Sequence, residues 1–435
     1  MSGSSVSDVM KTLPKLTMAV LAALSLGGAI NLLPQHAAHA ADEQGPSKKN
    51  SAKGAKALKA IQEDIKAKKW EDAKQKLQAL EGQPDLTPYD KHIMYDFFFF
   101  VDFHTNDLAG TAKYMEKEIN DGYLDQADIA KRMKDLVPLY YQLKDYDKVI
   151  ELGQRAIKDG YADDKIDTAV AQAYYIKGDY KGTLKFTREL VDGEIKRGET
   201  PREPQLELIL SSCVKLDDNA CQTRALERMV EYYPKPDYWQ NLVFSLFQNK
   251  AAEASDRDTL DIYRLASDVD AINKPNEYTE MAQLALEQGS PGEAEHILER
   301  AFSKNVFTDQ RERDRNQRLL EAAKKAAATD QAGLPKQEKE AEAAATGQKD
   351  VGVGIGYLSY QQYDKAAELI AHGLMKGGVK DEPQARLLLG IAQFKAGKKD
   401  DAIATFKQVK GDPTLERLAN LWALHARESN RVANR

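Results

Sequence analysis

From about Ala55 onward, apolar and small residues recur at helical spacing, and the period-two alternation of a half-buried strand is nearly absent. Helices are predicted throughout, and no sheet. Punctuation by Pro and Gly divides the pattern into units of about one helical hairpin. The first two run from Ala55 to Pro88 and from Tyr89 to Gly122, and the next two end at Gly160 and Gly193. Asp121-Gly122, Asp159-Gly160 and Asp192-Gly193 are read as turns, because Gly accepts the left-handed conformation that ends a helix. Residues 194–203 read as a charged connector, and later units close near Tyr233, Asn273 and Val306. The run Phe97 to Phe100, with Tyr95 and Phe103, covers every face of its helix. Burial between hairpins is expected for most of it, with an apolar anchor site as the functional alternative.

Two tyrosine pairs, Tyr140 with Tyr174 and Tyr146 with Tyr180, are each separated by 34 residues. The unit from Pro275 carries Tyr278, Met281, Ala282, Ala285, Gly289, Ala294, Leu298 and Ala301. Trp70, Ala73 and Leu77 belong to an earlier unit, and Gly354, Tyr357, Tyr363, Ala366 and Ile370 to a later one, followed by Leu389, Gly390, Gly397, Ala402 and Phe406. On these residues and this period the chain resembles the tetratricopeptide-repeat (TPR) family over nearly all of residues 41–435. The resemblance implies an all-α solenoid, a superhelix of stacked hairpins. Small residues let the two helices of a hairpin approach, bulky ones fill the space to the next, and stability comes from stacking neighbours.

The expected division is a signal peptide over 1–40, a flexible lead-in over 41–55, a repeat array over 56–307, further units over 348–412 and a capping helix with Trp422 over 413–435. Residues 308–347 depart from the pattern. They are rich in Ala, Lys, Glu, Arg and Gln and interrupted by Gly333-Leu334-Pro335, which predicts two long, poorly anchored helices or a degenerate hairpin. This segment reads either as a partner-binding arm or as a solvated hairpin.

At the other end, Lys11 and Lys15 precede the apolar run Leu16 to Leu33, and Ala38-His39-Ala40 offers a small-x-small cleavage site with Ala41 as the new first residue. Export to the periplasm is expected, with an uncleaved inner-membrane anchor as the alternative. Removing residues 1–40 takes the basic count from 62 to 60 and the acidic count from 68 to 67, leaving −7. That balance argues against nucleic acid as a general partner. Membrane contact is expected only through the signal segment. The two cysteines, Cys213 and Cys221, flank the turn Lys215 to Asn219, and an exported chain meets an oxidising environment. A disulfide is predicted, worth about 2.5 kcal/mol on the chain-entropy model, against the alternative of two ordinary buried helix residues.

No catalytic, cofactor or metal constellation is expected. His92, His104, His296, His372 and His425 fall in different units, and no HExxH or G-x-S-x-G occurs. Gly352-Val353-Gly354-Ile355-Gly356 lacks the spacing of a dinucleotide-binding loop, and Gly354 sits where the repeat needs a small residue. The TPR resemblance implies a groove lined by the first helix of each hairpin. It maps to Tyr141, Tyr175, Phe244, Phe247, Leu286, Ile355, Leu358, Ile391 and Phe394, with packing against the neighbouring hairpin as the bland reading. The family's carboxylate-clamp asparagines are replaced by Pro138 and Gln172. The expected function is that of a non-enzymatic periplasmic adaptor binding protein or peptide partners. The C-terminal motif Ala385 to Ala392 with Trp422 also resembles TPR proteins accompanying TonB-dependent transport, which implies a role in an envelope transport complex. A self-assembling structural protein and an envelope-polymer enzyme are the other classes.

Overall fold

The computed structural model describes residues 46–248 and 255–433, and the predicted signal peptide lies outside them. Twenty helices and no strand are found among the described residues. The chain forms two compact units, one ending at Leu190 and the other beginning at Val191.

Unit 1 contains α1 (Ala52–Lys66), α2 (Trp70–Glu81), α3 (Pro88–His104), α4 (Leu108–Asn120), α5 (Gln126–Gln142), α6 (Tyr146–Lys158), α7 (Asp164–Ile176) and most of α8 (Tyr180–Lys196). Consecutive helices pair as hairpins, and one backbone device recurs between partners. A residue at positive φ is followed by the N-cap of the second helix, as at Asn106-Asp107, Lys144-Asp145 and Gly178-Asp179. Each Asp carboxylate accepts a hydrogen bond from the amide three residues on, at 2.9, 3.2 and 2.8 Å respectively, satisfying an orphan donor of the new helix. Thr87 and Asp90 cap α3 reciprocally. Asp90 also accepts from Asn50 Nδ2 and the Ser51 amide, so the end of the expected lead-in is tied down at residues 50 and 51, and helix begins at Ala52. Phe97, Phe98 and Phe99 are buried and Phe100 half-buried, with Phe98 stacked on Tyr114 at 4.0 Å, which is the core reading of that run.

Unit 2 continues with α9 (Glu203–Lys215), α10 (Asn219–Tyr232), α11 (Pro236–Gln248), α12 (Asp256–Asp268), α13 (Pro275–Glu287), α14 (Pro291–Ser303), α15 (Gln310–Glu342), α16 (Gln348–Ser359), α17 (Tyr363–Lys376), α18 (Glu382–Lys395), α19 (Lys399–Phe406) and α20 (Pro413–Ala433). The hairpin α9–α10 turns at Asp217, φ 53°, and carries Cys213 and Cys221 as a buried disulfide with Cα atoms 5.4 Å apart. Small residues do the expected work at helix contacts: Ala73, Ala294, Ala366 and Ala402 are fully buried, and a Cβ on Gly354 would collide with Ile370 and the Ala366 carbonyl.

Two expectations are corrected. Asp192-Gly193 is not a turn, because α8 runs on to Lys196 and the chain turns at Gly198. Residues 308–347 are not two helices, because α15 is continuous from Gln310 to Glu342 with Pro335 inside it. A mid-helix Pro costs about 3 kcal/mol through its lost N–H and ring clash. Tertiary contacts on both sides of it offset that cost. Leu334 is buried over the bare backbone of Gly356. Before the Pro, Tyr360 Oη lies 2.8 Å from Asp330 Oδ2 and 3.1 Å from the Ala327 carbonyl. After it, Tyr357 Oη donates to Glu338 at 2.9 Å.

Candidate functional site

The predicted groove residues divide by what they touch. In unit 1, Tyr141 is buried and meets Tyr146 edge-on at 5.7 Å. Tyr175 is half-buried and meets Tyr180 in the same way at 5.3 Å. In unit 2, Phe247 leans on Tyr263 at 4.9 Å. Each ring therefore spends part of its surface on the second helix of its own hairpin. Phe244, Leu286, Ile355 and Leu358 are half-buried, while Ile391 is buried.

Phe394 is different. Its ring lies 5.8 Å from Trp422 and 5.2 Å from His425, both on α20. That helix is more than a cap on the last hairpin, because it touches α10 and α12 as well as α18 and α19. Its apolar residues Leu415, Leu418, Ala419, Leu421, Trp422, Ala423 and Ala426 are all buried. Most recur three and four apart, the spacing of one helix face, and at Leu421 to Leu424 four consecutive residues are buried, so burial there extends beyond a single face. Polar contacts hold the flanks. Arg417 Nη2 lies 3.4 Å from both Thr223 Oγ1 and Ser245 Oγ. His425 Nε2 lies 2.9 Å from Asp268 Oδ2, with Trp239 edge-on to the imidazole at 5.7 Å. The other oxygen of Asp268 pairs with Lys395 of α18. Burial opposes ionisation of Asp268, but the His425 hydrogen bond and the Lys395 charge outweigh it and hold the carboxyl below its ordinary range. One carboxylate thus joins α12, α18 and α20.

A second polar seam closes α12 against α18. Gln384 Nε2 donates to the fully buried Asp261 at 2.6 Å. Arg264 binds Asp261 at 2.6 Å and grips Glu293 with two hydrogen bonds of 2.8 and 2.6 Å. Burial raises the Asp261 carboxyl against the pull of Arg264. Burial alone would lower the Arg264 pKa, but Glu293 and Asp261 raise it. Beside these contacts, Gln361 to Lys365 with Lys395 and Ala396 line a shallow, open depression of about 450 Å³.

Among the described residues, no group of three or more His, Cys, Asp or Glu is arranged to hold a metal ion, and no helix is long and apolar enough to cross a membrane. Sequence reasoning missed Asp261, Arg264, Asp268, Glu293, Gln384 and His425. Asp261 and Gln384 are 123 residues apart and Asp268 and His425 are 157 apart, so no local spacing announces either contact. The apolar ridge of α20 was the one available signal.

No protein-family model and no curated protein matches this chain. Among solved structures, a tetratricopeptide repeat protein from Parabacteroides merdae is similar at 11% identity, covering 70% of this chain and 99% of its own, with a TM-score of 0.29. The TPR2AB domain of yeast Sti1, solved as a complex with pHSP90, gives 16% identity, 63% and 99% coverage and a TM-score of 0.30. The maize pentatricopeptide repeat protein PPR10 gives 13% identity, 86% and 56% coverage and a TM-score of 0.28. At such scores these likenesses carry no weight. The all-α hairpin fold stands on the recurrent turns and small-residue contacts of the chain itself.

Proposed function

We propose that this chain is a non-catalytic binding scaffold whose ligands are protein helices or peptides, working in the periplasm. The observation that carries the reading is α20 itself, an amphipathic helix lying against Phe394, Trp239 and Asp268, which come from three different helices. A surface that seats a helix from its own chain has the chemistry to seat one from another: aromatic faces for the apolar ridge and a carboxylate for a basic end. In unit 1 the neighbouring first-helix residue Ile176 is 40% exposed. It is the apolar position there best placed for a partner.

Export is supported by Lys11, Lys15, the apolar run Leu16 to Leu33 and Ala38-His39-Ala40, and by a disulfide that suits an oxidising compartment. Two measurements test the proposal. A photo-crosslinking residue at Ile176 is expected to capture a discrete partner in cells, whereas one at Met375, on a second helix and 80% exposed, is expected to capture none. Equal capture at both positions, or none at Ile176, refutes the groove assignment. Intact mass of the mature protein is expected to begin at Ala41, and a retained leader refutes cleavage.

A further inference from the structure

We infer that the seat of α20 in unit 2 is an exchangeable helix-binding groove. α20 is its resident occupant, and an amphipathic helix of another protein, with the same apolar ridge and a basic or imidazole group opposite Asp268, takes its place. The inference rests on the scaffold reading and adds where the partner binds and what it must displace.

Three observations carry it. The helix is held by groups from α10, α11, α12 and α18 as well as by α19 next to it in sequence, so its seat is built mostly from distant hairpins that reached this geometry by their own stacking. The specific contacts are few and polar, Arg417 near the first turn and His425 two turns further on, with apolar residues between them. That is the layout of helix-in-groove recognition, where anchors three and four residues apart supply affinity and charged flanks fix register. The closed seat is also imperfectly satisfied. Trp422 Nε1, on the occupant, is buried without a hydrogen-bond partner. A buried polar atom left unpaired is expensive, so α20 is not the best helix this seat can hold.

Tethering gives α20 a large advantage, since a short connector sets an effective concentration in the millimolar range. A partner helix therefore enters readily only when the tether is cut or the resident helix's own group at Asp268, His425, is lost. The test introduces a specific protease site at Lys410-Gly411 in the exposed connector before α20 and cleaves the folded, full-length chain. The probe is a fluorescein-labelled peptide of residues 413–433. The cleaved protein is expected to bind this peptide at least on the order of 100-fold more tightly than the uncut chain does. A Trp422→Ala peptide is expected not to compete, and His425→Ala in the uncut chain, which weakens the resident helix alone, is expected to raise uptake of the unaltered peptide with helicity unchanged.

The inference is overturned if the cleaved, helical protein excludes the probe, if losing residues 413–433 collapses the circular dichroism of the remainder, or if the uncut chain dimerises by swapping α20. These readouts need no cellular partner. Failure here leaves the Ile176 crosslinking result untouched, and a crosslinking failure leaves this one untouched.

Discussion

Glu118 on α4 is a carboxyl whose charge state is at odds with its surroundings. Its side chain is 2% exposed, and it shares the guanidinium of Arg132 with Asp96, at 3.0 Å to each carboxylate. Burial pushes its carboxyl up to about 7, Arg132 pulls it back, and the neighbouring charge of Asp96 adds to the rise. The consequence for stability has a definite sign. Between the ordinary carboxylate value and about 7, the folded chain holds more protons than the unfolded one, so stability falls as pH rises through that window, by at most roughly 1.4 kcal/mol per unit. Glu118→Gln is expected to flatten the difference in urea midpoint between pH 5 and pH 7.5, and an unchanged slope in the variant refutes the assignment. None of this was legible beforehand. In sequence Asp96, Glu118 and Arg132 resemble surface charges on three amphipathic helices, and only the packing of α3, α4 and α5 makes them share one desolvated space.

At the scale of the helix and its turn, legibility of the turn depended on which residue fills the left-handed position between the helices of a hairpin. Gly178, Gly289 and Gly397 occupy it openly, and their units are among those recognised from the pattern. Lys68, Asn106, Lys144, Asp217 and Gln361 adopt the same conformation with a side chain, so the glycine signal is missing there, and the units of Lys68, Lys144 and Gln361 were legible only through their aromatic and small residues. The Asp that follows at 107, 145 and 218 is the signal that marks three of these turns, as Asp179 does after Gly178. A non-Gly residue in this conformation is strained by roughly 1–2 kcal/mol, and Gly returns part of that gain as unfolded-chain entropy. Lys144→Gly is therefore expected to stabilise by about 0.5–1 kcal/mol and Gly178→Ala to destabilise by a similar amount, both read from urea midpoints. Opposite signs at two equivalent turns would be hard to obtain otherwise. The long helix α15 shows the reverse failure. Gly333 and Pro335 are local breakers, and the prediction of a break was sound chemistry overridden by Leu334, Asp330 and Glu338, whose partners lie on α16 and in the turn after it.

At the scale of the molecule, helix class and repeat organisation were readable because every hairpin must bury its own small and bulky positions, which leaves a period in the sequence. The closure of unit 2 was not readable, since it joins residues more than a hundred positions apart through a handful of polar contacts. Trp422 is fully buried at the centre of that closure. Replacing it with Ala is expected to cost about 3–5 kcal/mol, in the range for deleting a buried aromatic. Hydrogen exchange is the informative measurement, with amides of α12, α18 and α20 expected to lose protection together. If α20 alone is affected, the helix is a peripheral cap.

The position of α20 in the chain also bears on how the protein is made. All the helices that form its seat are synthesised before the segment that covers them exists. For that interval Trp239 and Phe394 face water as an unclaimed sticky surface. Whatever attends the chain at that stage meets the groove first, and the chain's own helix must then evict it.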